Sequence, residues 1–323
     1  MNKITGVRYR LKSKARDSKI AKLGSAKKYA DSLSEYANHR MLSSDQANRY
    51  IYDRIISGEP FLAGRFGSTE LLNMRSFDFG GFMGQKYDKS FHFNHLCEWS
   101  GFFPHDINLL PQFVNEMKTA CKELDFLAVW FQAFEDYYIK KIMHPDLQIS
   151  YLLDFEPWAG NVHWSAALKG KKVLIIHPFE NTIQSQYQKR ELLFPGTDIL
   201  PEFEIHTLKA VQTLAGTVDL RFATWFDALE WMYEETLKID FDIAIIGCGA
   251  YGLPLAAKIK KSGKQAIHLA GATQLLFGIK GKRWEENDAF AYVRKWFNEN
   301  WVYPGQEDKL VNGSVVEGGC YWK

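Results

Sequence analysis

Short apolar runs alternate with amphipathic stretches along most of this chain, and the alternation predicts a sheet covered by helices. A strand that is covered on both faces of a parallel sheet is apolar throughout, so the apolar runs predict strands. These strand candidates are 61–66, 126–131, 149–153, 172–176, 203–208, 242–246 and 265–269. The helix candidates that follow them are 71–74, 107–124, 136–143, 165–168, 225–237, 252–262, 274–279 and 288–298. We therefore expect an α/β fold with a Rossmann-like, mostly parallel sheet and helices on both faces.

The first 58 residues predict a helical preface to that sheet. Apolar residues recur at helical spacing over 23–37, and cap and stop residues bound a second helix over 44–58. We therefore divide the chain into a basic leader with a helical preface, residues 1–58, and an α/β domain, residues 59–323. Residues 77–105 are rich in Gly, Phe and His and predict a long loop.

The clearest single signal is the stretch 241–271, which is typical of a strand, a glycine turn, a helix and a second strand. Gly247, Gly249 and Gly252 stand in G-x-G-x-x-G spacing between a buried apolar run and an amphipathic run. Glycines let the backbone approach a ligand closely, and a helix N-terminus offers unpaired N–H groups to a phosphate. Two alternatives stay open. The glycines can serve close helix–strand packing, or they can bind a dinucleotide, although 268–271 lack the acid that usually holds a ribose.

Polar residues and glycines at the ends of the predicted strands, and just beyond them, are the candidates for a functional site. In parallel α/β sheets, ligands bind beyond the carboxyl ends of the strands, near the point where strand order reverses. The candidates are Arg65, Glu70, His177, Gly247, Gly249, Tyr251, Gly252, Gly271, Lys282 and Arg283. Glu70 or His177 could act as a general base. Arg65, Lys282 or Arg283 could bind phosphate, because guanidinium and ammonium groups neutralise its charge.

Several of these candidates also have a structural explanation. Glu70 can favour the first turn of a helix through the helix dipole, and His177 can be a buried turn residue before a proline. Lys282 and Arg283 can form a solvated face. Tyr251 can be a packing residue.

Composition predicts a globular protein of the cell interior. The chain has 323 residues, of which 46% are hydrophobic and 15% aromatic, enough for a substantial core. No run of about 18 apolar residues occurs, so no membrane span is predicted. The start of the chain lacks the apolar segment of a secretory signal. The four scattered cysteines form no C-x-x-C pair, and we expect a reduced, cytoplasmic protein.

Charge is distributed unevenly along the chain. Residues 1–30 contain ten Lys or Arg and one acid, a net charge of +9; the whole chain carries +2, so the remainder carries −7. A basic arm on an acidic body is attracted to anionic surfaces. We expect peripheral contact with the inner membrane surface through residues 1–30, and no nucleic-acid partner. The alternative is a solvated, partly disordered leader.

Several segments resemble the GT-D-fold glycosyltransferases. RFGSTE, which runs from Arg65 to Glu70, is similar to the RFG-D-x-E element of that family. The late glycine unit, followed by GKQAIHLAG, resembles the family's second nucleotide-binding segment. HPFENTIQSQY and the closing EGGCYW are similar to uncharacterised proteins often linked with bacterial surface polysaccharide production. The resemblance covers most of residues 60–285.

This resemblance implies transfer of a sugar from a nucleotide-diphosphate donor to a glycan or lipid-linked acceptor in cell-surface polysaccharide synthesis. In the family, an acidic pair binds a divalent metal that holds the donor diphosphate, and by position Glu70 matches the second acid. Ser68 stands at the first, and a hydroxyl is a poor replacement for a carboxylate on Mg²⁺ or Mn²⁺. Metal binding through Glu70 therefore stays open, with a helix N-terminus and basic side chains as the alternative charge partners.

Three other functions stay open from the residues alone. A nicotinamide- or flavin-dependent oxidoreductase would hold its cofactor at the glycine turn. A non-catalytic nucleotide-binding module of a polysaccharide assembly would bind without turnover, and Ser68 favours it. A methyltransferase would use the same turn for an adenosyl group.

Overall fold

The computed structural model describes residues 3–80, 89–309 and 319–322. Over these ranges the chain forms a nine-stranded sheet with helices between the strands. The strands are β1 (Glu35–Tyr36), β2 (His39–Leu42), β3 (Phe61–Arg65), β4 (Phe126–Val129), β5 (Gln148–Tyr151), β6 (Lys172–His177), β7 (Glu204–Lys209), β8 (Ile243–Ile246) and β9 (Gln265–His268). The helices are α1 (Lys3–Leu23), α2 (Ala26–Asp31), α3 (Ser44–Ser57), α4 (Ser68–Phe79), α5 (Lys89–Ser100), α6 (Leu110–Cys121), α7 (Glu135–Ile142), α8 (Glu180–Tyr187), α9 (Arg190–Leu193), α10 (Trp225–Leu237), α11 (Gly252–Lys261), α12 (Ala272–Leu276), α13 (Lys282–Glu286) and α14 (Ala291–Arg294).

The strand order across the sheet is β1-β2-β5-β4-β3-β9-β8-β6-β7. β1 and β2 pair antiparallel, and the other neighbouring strands pair parallel, which confirms the predicted α/β class. The chain passes from β6 outward to β7 but from β8 in the opposite direction to β9. Strand order therefore reverses between β6 and β8, and a crevice for ligands is expected at the carboxyl ends of these two strands.

Two apolar layers cover the two faces of the sheet. Alternate residues of one strand point to opposite faces, so Leu174 and Ile176 of β6 enter one layer while Val173 and Ile175 enter the other. Helices α4, α5, α6, α10 and α11 contribute to the first layer, and α3, α8 and α12 to the second. The helices after β6 and β8 therefore lie on opposite faces, which leaves the strand ends between them open.

The amino-terminal segment differs from its prediction. The apolar spacing over 23–37 predicts one helix, but α1 ends at Leu23 and a β1–β2 hairpin follows α2. The two residues of the hairpin turn, Ala37 and Asn38, have φ of +54° and +70°. Such left-handed geometry at both positions is what a two-residue hairpin turn requires, and no right-handed helix accommodates it.

The basic leader forms α1 rather than a partly disordered arm over the described residues 3–23. Tyr9, Ser13 and Arg16 of α1 are buried, so the helix packs against the protein along one side. β2 pairs with β5, so residues on both sides of the predicted boundary at position 58 belong to the same sheet.

The predicted long loop over 77–105 is partly wrong. α4 continues to Phe79 and α5 occupies Lys89–Ser100, while 81–88 lie outside the described residues. None of the helices in the described ranges combines the length and the apolar character needed to cross a bilayer.

A buried amide ties α3 to the segment that follows β5. Asn48 is fully buried; its Nδ2 donates to the Asp154 carbonyl at 2.9 Å and to the Ser44 carbonyl at 3.1 Å. Its Oδ1 accepts the Trp164 backbone N–H at 3.1 Å. Asn48 thus fixes the position of the segment between β5 and β6 relative to α3.

Replacing Asn48 by Ala leaves the Asp154 carbonyl and the Trp164 N–H buried without their partner. Each such group costs about 1–3 kcal/mol, so we expect the free energy of unfolding to fall by roughly 2–4 kcal/mol in urea titrations. Asp53→Ala, at an exposed position of the same helix, is the control and should change it by less than about 0.5 kcal/mol. Equal effects of the two substitutions would contradict this role of Asn48.

Candidate functional site

A cavity of about 540 Å³ lies at the carboxyl ends of the parallel strands, beside the point where strand order reverses. Its volume is within the range of small-molecule sites. Four strands end in its wall, through Arg65 of β3, Tyr151 of β5, His177 of β6 and His268 of β9. Two further strands, β4 and β8, are followed directly by the lining residues Trp130 and Gly247. The rule that ligands bind beyond strand ends therefore locates this cavity from the sequence.

The cavity brings together seven of the ten predicted site residues. They are Arg65, Glu70, His177, Gly247, Gly249, Gly271 and Arg283. These residues come from segments more than 200 positions apart in the chain, and the parallel sheet collects them at one edge.

Two of the remaining candidates, Tyr251 and Lys282, do not line the cavity. Tyr251 is buried in the core, where its ring stacks on Trp225 with the centroids 5.0 Å apart and its hydroxyl lies 3.2 Å from Thr213 Oγ1. Lys282 is half-exposed on α13, with its Nζ 3.9 Å from a carboxylate oxygen of Glu286. The packing explanation for Tyr251 and the solvated-face explanation for Lys282 therefore fit better than ligand contact.

Gly252, the last of the ten, serves close packing of protein groups. A Cβ at Gly252 would overlap the imidazole of His268, which lies directly against the start of α11. A Cβ at Gly247 would lie 2.6 Å from the Ala270 carbonyl oxygen. Two of the three glycines in the G-x-G-x-x-G unit are therefore required by neighbouring strands and loops, as in the packing alternative.

Gly249 both faces the cavity and adopts a conformation that favours glycine. Its φ is +58°, and a Cβ would lie 3.0 Å from the Ser100 carbonyl oxygen. The Gly247 N–H donates to the Ile176 carbonyl at 2.9 Å, whereas the N–H groups of Cys248 and Gly249 have no acceptor within the described part of the chain. Of these two residues only Gly249 lines the cavity, so the bend can offer the Gly249 amide to an anion, fewer donors than the motif alone predicts.

Arg65 places a cation deep in the protein with donors open to the cavity. Its guanidinium lies against the Trp130 ring, 4.8 Å from the ring centroid, and its Nε lies 3.4 Å from the Phe66 carbonyl oxygen. Its two terminal nitrogens have no acceptor among the described residues. Burial lowers the pKa of Arg65 below its usual value, and the nearby Arg283 adds to this. Glu70 and Glu156 are near enough to feel the charge of Arg65, but no ion pair joins Arg65 to a described carboxylate, so its terminal nitrogens are available to an anionic ligand.

Arg283 brings a second guanidinium to the same cavity. Its Nη1 lies 3.3 Å from the Tyr321 hydroxyl, and its guanidinium carbon lies 5.0 Å from the Tyr321 ring centroid. Burial lowers the pKa of Arg283, but the Tyr321 and Cys320 side chains outweigh that effect and leave the pKa raised. Two cations therefore share one wall, and an anion is the ligand that their charge favours.

Glu70 lies at the N-terminal turn of α4 and folds back towards Gly67, where a Cβ would overlap its carboxylate. Burial raises the pKa of Glu70 above its usual 4.5, while hydrogen bonds from its own backbone amide and from Ser100, and the charge of Arg65, oppose the rise. A carboxylate with a raised pKa in a cavity is suited to accept a proton. The same position also stabilises the start of α4.

Glu156 is a cavity carboxylate that the sequence reasoning missed. It accepts hydrogen bonds from Trp158 Nε1 at 2.9 Å and from the Tyr292 hydroxyl at 3.0 Å. Burial raises its pKa to about 7, against the lowering effects of Tyr292 and Arg65. Glu156 stands just beyond the β5 segment, so the same strand-end rule could have found it. Trp130, beyond β4, was missed in the same way.

His177 and His268 are neutral groups of the cavity wall. Burial lowers the pKa of each to about 3. The Phe179 N–H donates to His177 Nδ1 at 3.0 Å, so the ring proton of His177 is on Nε2, and this nitrogen is a hydrogen-bond donor rather than a base. Nδ1 of His268, also missed from sequence, has no hydrogen-bond partner in the described part of the molecule.

The donor set around Glu70 does not fit a divalent metal. Residues 3–80, 89–309 and 319–322 contain no group of three His, Cys, Asp or Glu side chains that could hold one. Ser68 supplies only a hydroxyl, and both oxygens of Glu156 already accept hydrogen bonds from protein donors. Positive charge in the cavity comes instead from the two arginines.

Comparisons with protein-family models, curated proteins and solved structures find no match to this chain. The resemblance to GT-D-fold glycosyltransferases therefore stays a prediction from short motifs, and the functional conclusion rests on the geometry of the cavity.

Glu156 makes stability depend on pH in a way that Glu156→Gln should remove. The pKa of Glu156 in the folded protein, about 7, lies above its usual 4.5. The contribution of Glu156 to the free energy of unfolding is therefore complete below pH 4.5 and is lost as the pH rises through 7. From pH 4.5 to 8, we expect the variant to gain stability relative to the wild type, by up to about 3 kcal/mol. Urea unfolding at both pH values measures this. A pH-independent difference, like that expected for the exposed control Glu286→Gln, would contradict it.

Proposed function

We propose that this protein is a glycosyltransferase that transfers a sugar from a nucleotide-diphosphate donor to a glycan or lipid-linked acceptor in cell-surface polysaccharide synthesis. One observation carries the proposal: Arg65 is a buried cation with unpartnered donors open to a cavity at the carboxyl ends of a parallel sheet. The GT-D resemblance of the segment from Arg65 to Glu70 supports the sugar-nucleotide class of substrate.

The donor diphosphate is the part of the substrate that the cavity suits best. Arginine forks form paired hydrogen bonds with phosphate oxygens, and Arg65 and Arg283 both line the wall. The stacked Trp130 ring holds one face of the Arg65 guanidinium, which leaves the edge with its N–H groups for a ligand. The free amide of Gly249, which lines the cavity, adds a donor on the side of the bend.

Sugar transfer forms a bond between the acceptor oxygen and the anomeric carbon and breaks the bond from that carbon to the diphosphate oxygen. The diphosphate leaves with the electron pair, and the arginines stabilise its charge. The acceptor hydroxyl loses a proton, and Glu70, a buried carboxylate with a raised pKa, accepts it. Nε2–H of His177 serves as a further donor to a ligand oxygen.

A second candidate function is a non-catalytic nucleotide-binding module. The position of Glu70 favours it, because hydrogen bonds from its own backbone and from Ser100 already engage the carboxylate. In that case the arginines would bind the nucleotide and Glu70 would only stabilise the start of α4. An oxidoreductase gains no comparable support, since β9 ends at His268 without an acid.

We further propose that the protein acts in the cytoplasm, with peripheral contact at the inner membrane surface through residues 1–30. A lipid-linked acceptor would be presented at that surface.

Nucleoside diphosphates should bind without divalent metal and depend on Arg65. Calorimetric titration in the presence of EDTA should show binding of at least one nucleoside diphosphate to the wild type. Arg65→Gln should weaken it by about 10- to 100-fold, the value of roughly 1.5–3 kcal/mol for a charged hydrogen bond. Arg65→Lys should recover part of the loss, because it keeps the charge without the fork.

Arg49→Gln, an exposed arginine of α3, is the matched control and should bind like the wild type. Nucleotide affinity that survives in Arg65→Gln, or that appears only when Mn²⁺ is added, would refute the assigned role of Arg65.

Glu70→Gln separates the transferase from the binding module. We expect nucleotide affinity within a few-fold of wild type and a loss of sugar transfer by about 10²–10⁴, the usual contribution of a general base. Wild-type transfer should fall as the pH drops through the pKa of Glu70, which lies above 4.5, because the protonated acid accepts no proton. Wild-type turnover in the variant would exclude Glu70 as the base. Nucleotide binding without turnover by the wild type would favour the module.

A further inference from the structure

Helix α1 carries an apolar stripe on its solvent side. Ile4, Val7 and Leu11 are 74%, 46% and 61% exposed. Their spacing of three and four residues places them along one side of the helix. Apolar side chains that share one exposed helix face are typical of an interaction surface rather than of isolated surface residues.

The opposite side of α1 is buried against the protein, which fixes the direction of the stripe. Tyr9 and Arg16 are buried there, and the Tyr9 ring packs edge-on against Tyr137 with the centroids 5.1 Å apart. At 100° per residue, these positions lie on the other side of the helix from Val7 and Leu11. The stripe therefore points away from the body of the protein.

Basic side chains flank the stripe. Arg8 and Lys14 are both exposed, and each lies within about a sixth of a helical turn of the stripe. Neither forms an ion pair with any described residue. The one acid in α1, Asp17, accepts a hydrogen bond from Arg16 Nη2 at 3.2 Å. The outer face of α1, defined here as Ile4, Val7, Leu11, Arg8 and Lys14, thus combines apolar surface with unneutralised positive charge.

We propose that the outer face of α1 binds an anionic lipid surface, with the helix lying in the plane of the interface. Apolar side chains between cations fit the boundary between acyl chains and phosphate headgroups, where the apolar groups enter and the charges meet the phosphates. A neutral lipid surface or an apolar protein groove would leave Arg8 and Lys14 without partners. This inference rests on the proposed function in one respect, because a lipid-linked acceptor gives the contact its purpose.

Co-sedimentation of the full chain with vesicles tests the surface. Wild-type protein should bind vesicles of phosphatidylcholine mixed with phosphatidylglycerol and bind phosphatidylcholine alone much more weakly. Arg8→Gln with Lys14→Gln should lower partitioning onto the anionic vesicles by about 25-fold, about fivefold for each basic residue. Val7→Ser with Leu11→Ser should lower it at least about tenfold, because the apolar insertion is lost.

Matched controls lie elsewhere on the surface. Leu237→Ser, at a position 57% exposed on α10, and Lys122→Gln, at an exposed position after α6, should partition like the wild type. Nucleotide titration and thermal melting of each variant show that the fold and the cavity are intact. The two double variants should keep wild-type nucleotide affinity.

Three results would overturn the lipid-binding surface: no binding of the wild type to anionic vesicles, equal binding to neutral vesicles, or unchanged binding of either double variant. The expected result is that both double variants lose vesicle binding while they keep wild-type nucleotide affinity. Absence of nucleotide binding in all forms, with vesicle binding as described, would refute the proposed function and leave the lipid-binding surface standing.

Discussion

Arg65 is a cation held at the end of a central strand, and its surroundings in the cavity are arranged around that charge. The Trp130 ring covers one side of the guanidinium. The backbone at Trp130 is in turn held by Glu135, whose carboxylate accepts the N–H groups of Trp130 and Phe131 at 3.3 and 2.8 Å. Burial raises the pKa of Glu135 to about 7, and the charge of Arg16 on α1 is among the effects that oppose the rise. The amino-terminal helix is therefore connected to the cavity through a chain of charged and hydrogen-bonded groups.

The general position of the site could be predicted because a parallel sheet imposes it. The interior of β6, from Val173 to Ile176, and the whole of β8 are apolar, and parallel strands present all their carboxyl ends at one edge. That rule alone predicts that Arg65 and His177, which end their strands, lie at the site. Glu156 and His268 obey it too, but Glu156 comes after a 3-10 turn beyond β5, and His268 looks like an ordinary member of an apolar run.

The parts that could not be predicted depend on conformations that residue types do not reveal. Ala37 adopts a left-handed φ in the β1–β2 hairpin, a role usually taken by Gly, Asn or Asp. The glycine spacing of Gly247, Gly249 and Gly252 is the same whether a phosphate or a protein group lies against it. In this protein the His268 ring occupies the space beside Gly252, and of the three glycines only Gly247 and Gly249 line the cavity. The direction of the Tyr251 ring, into the core, follows from its stacking on Trp225.

A crystal structure of the protein with a nucleoside diphosphate, grown without divalent metal, would show directly whether Arg65 binds the phosphates. We expect the diphosphate to lie in the cavity, with phosphate oxygens within hydrogen-bond distance of the Arg65 guanidinium and close to the backbone amide of Gly249. A nucleotide bound elsewhere, or bound in the cavity with its phosphates directed away from Arg65, would contradict it.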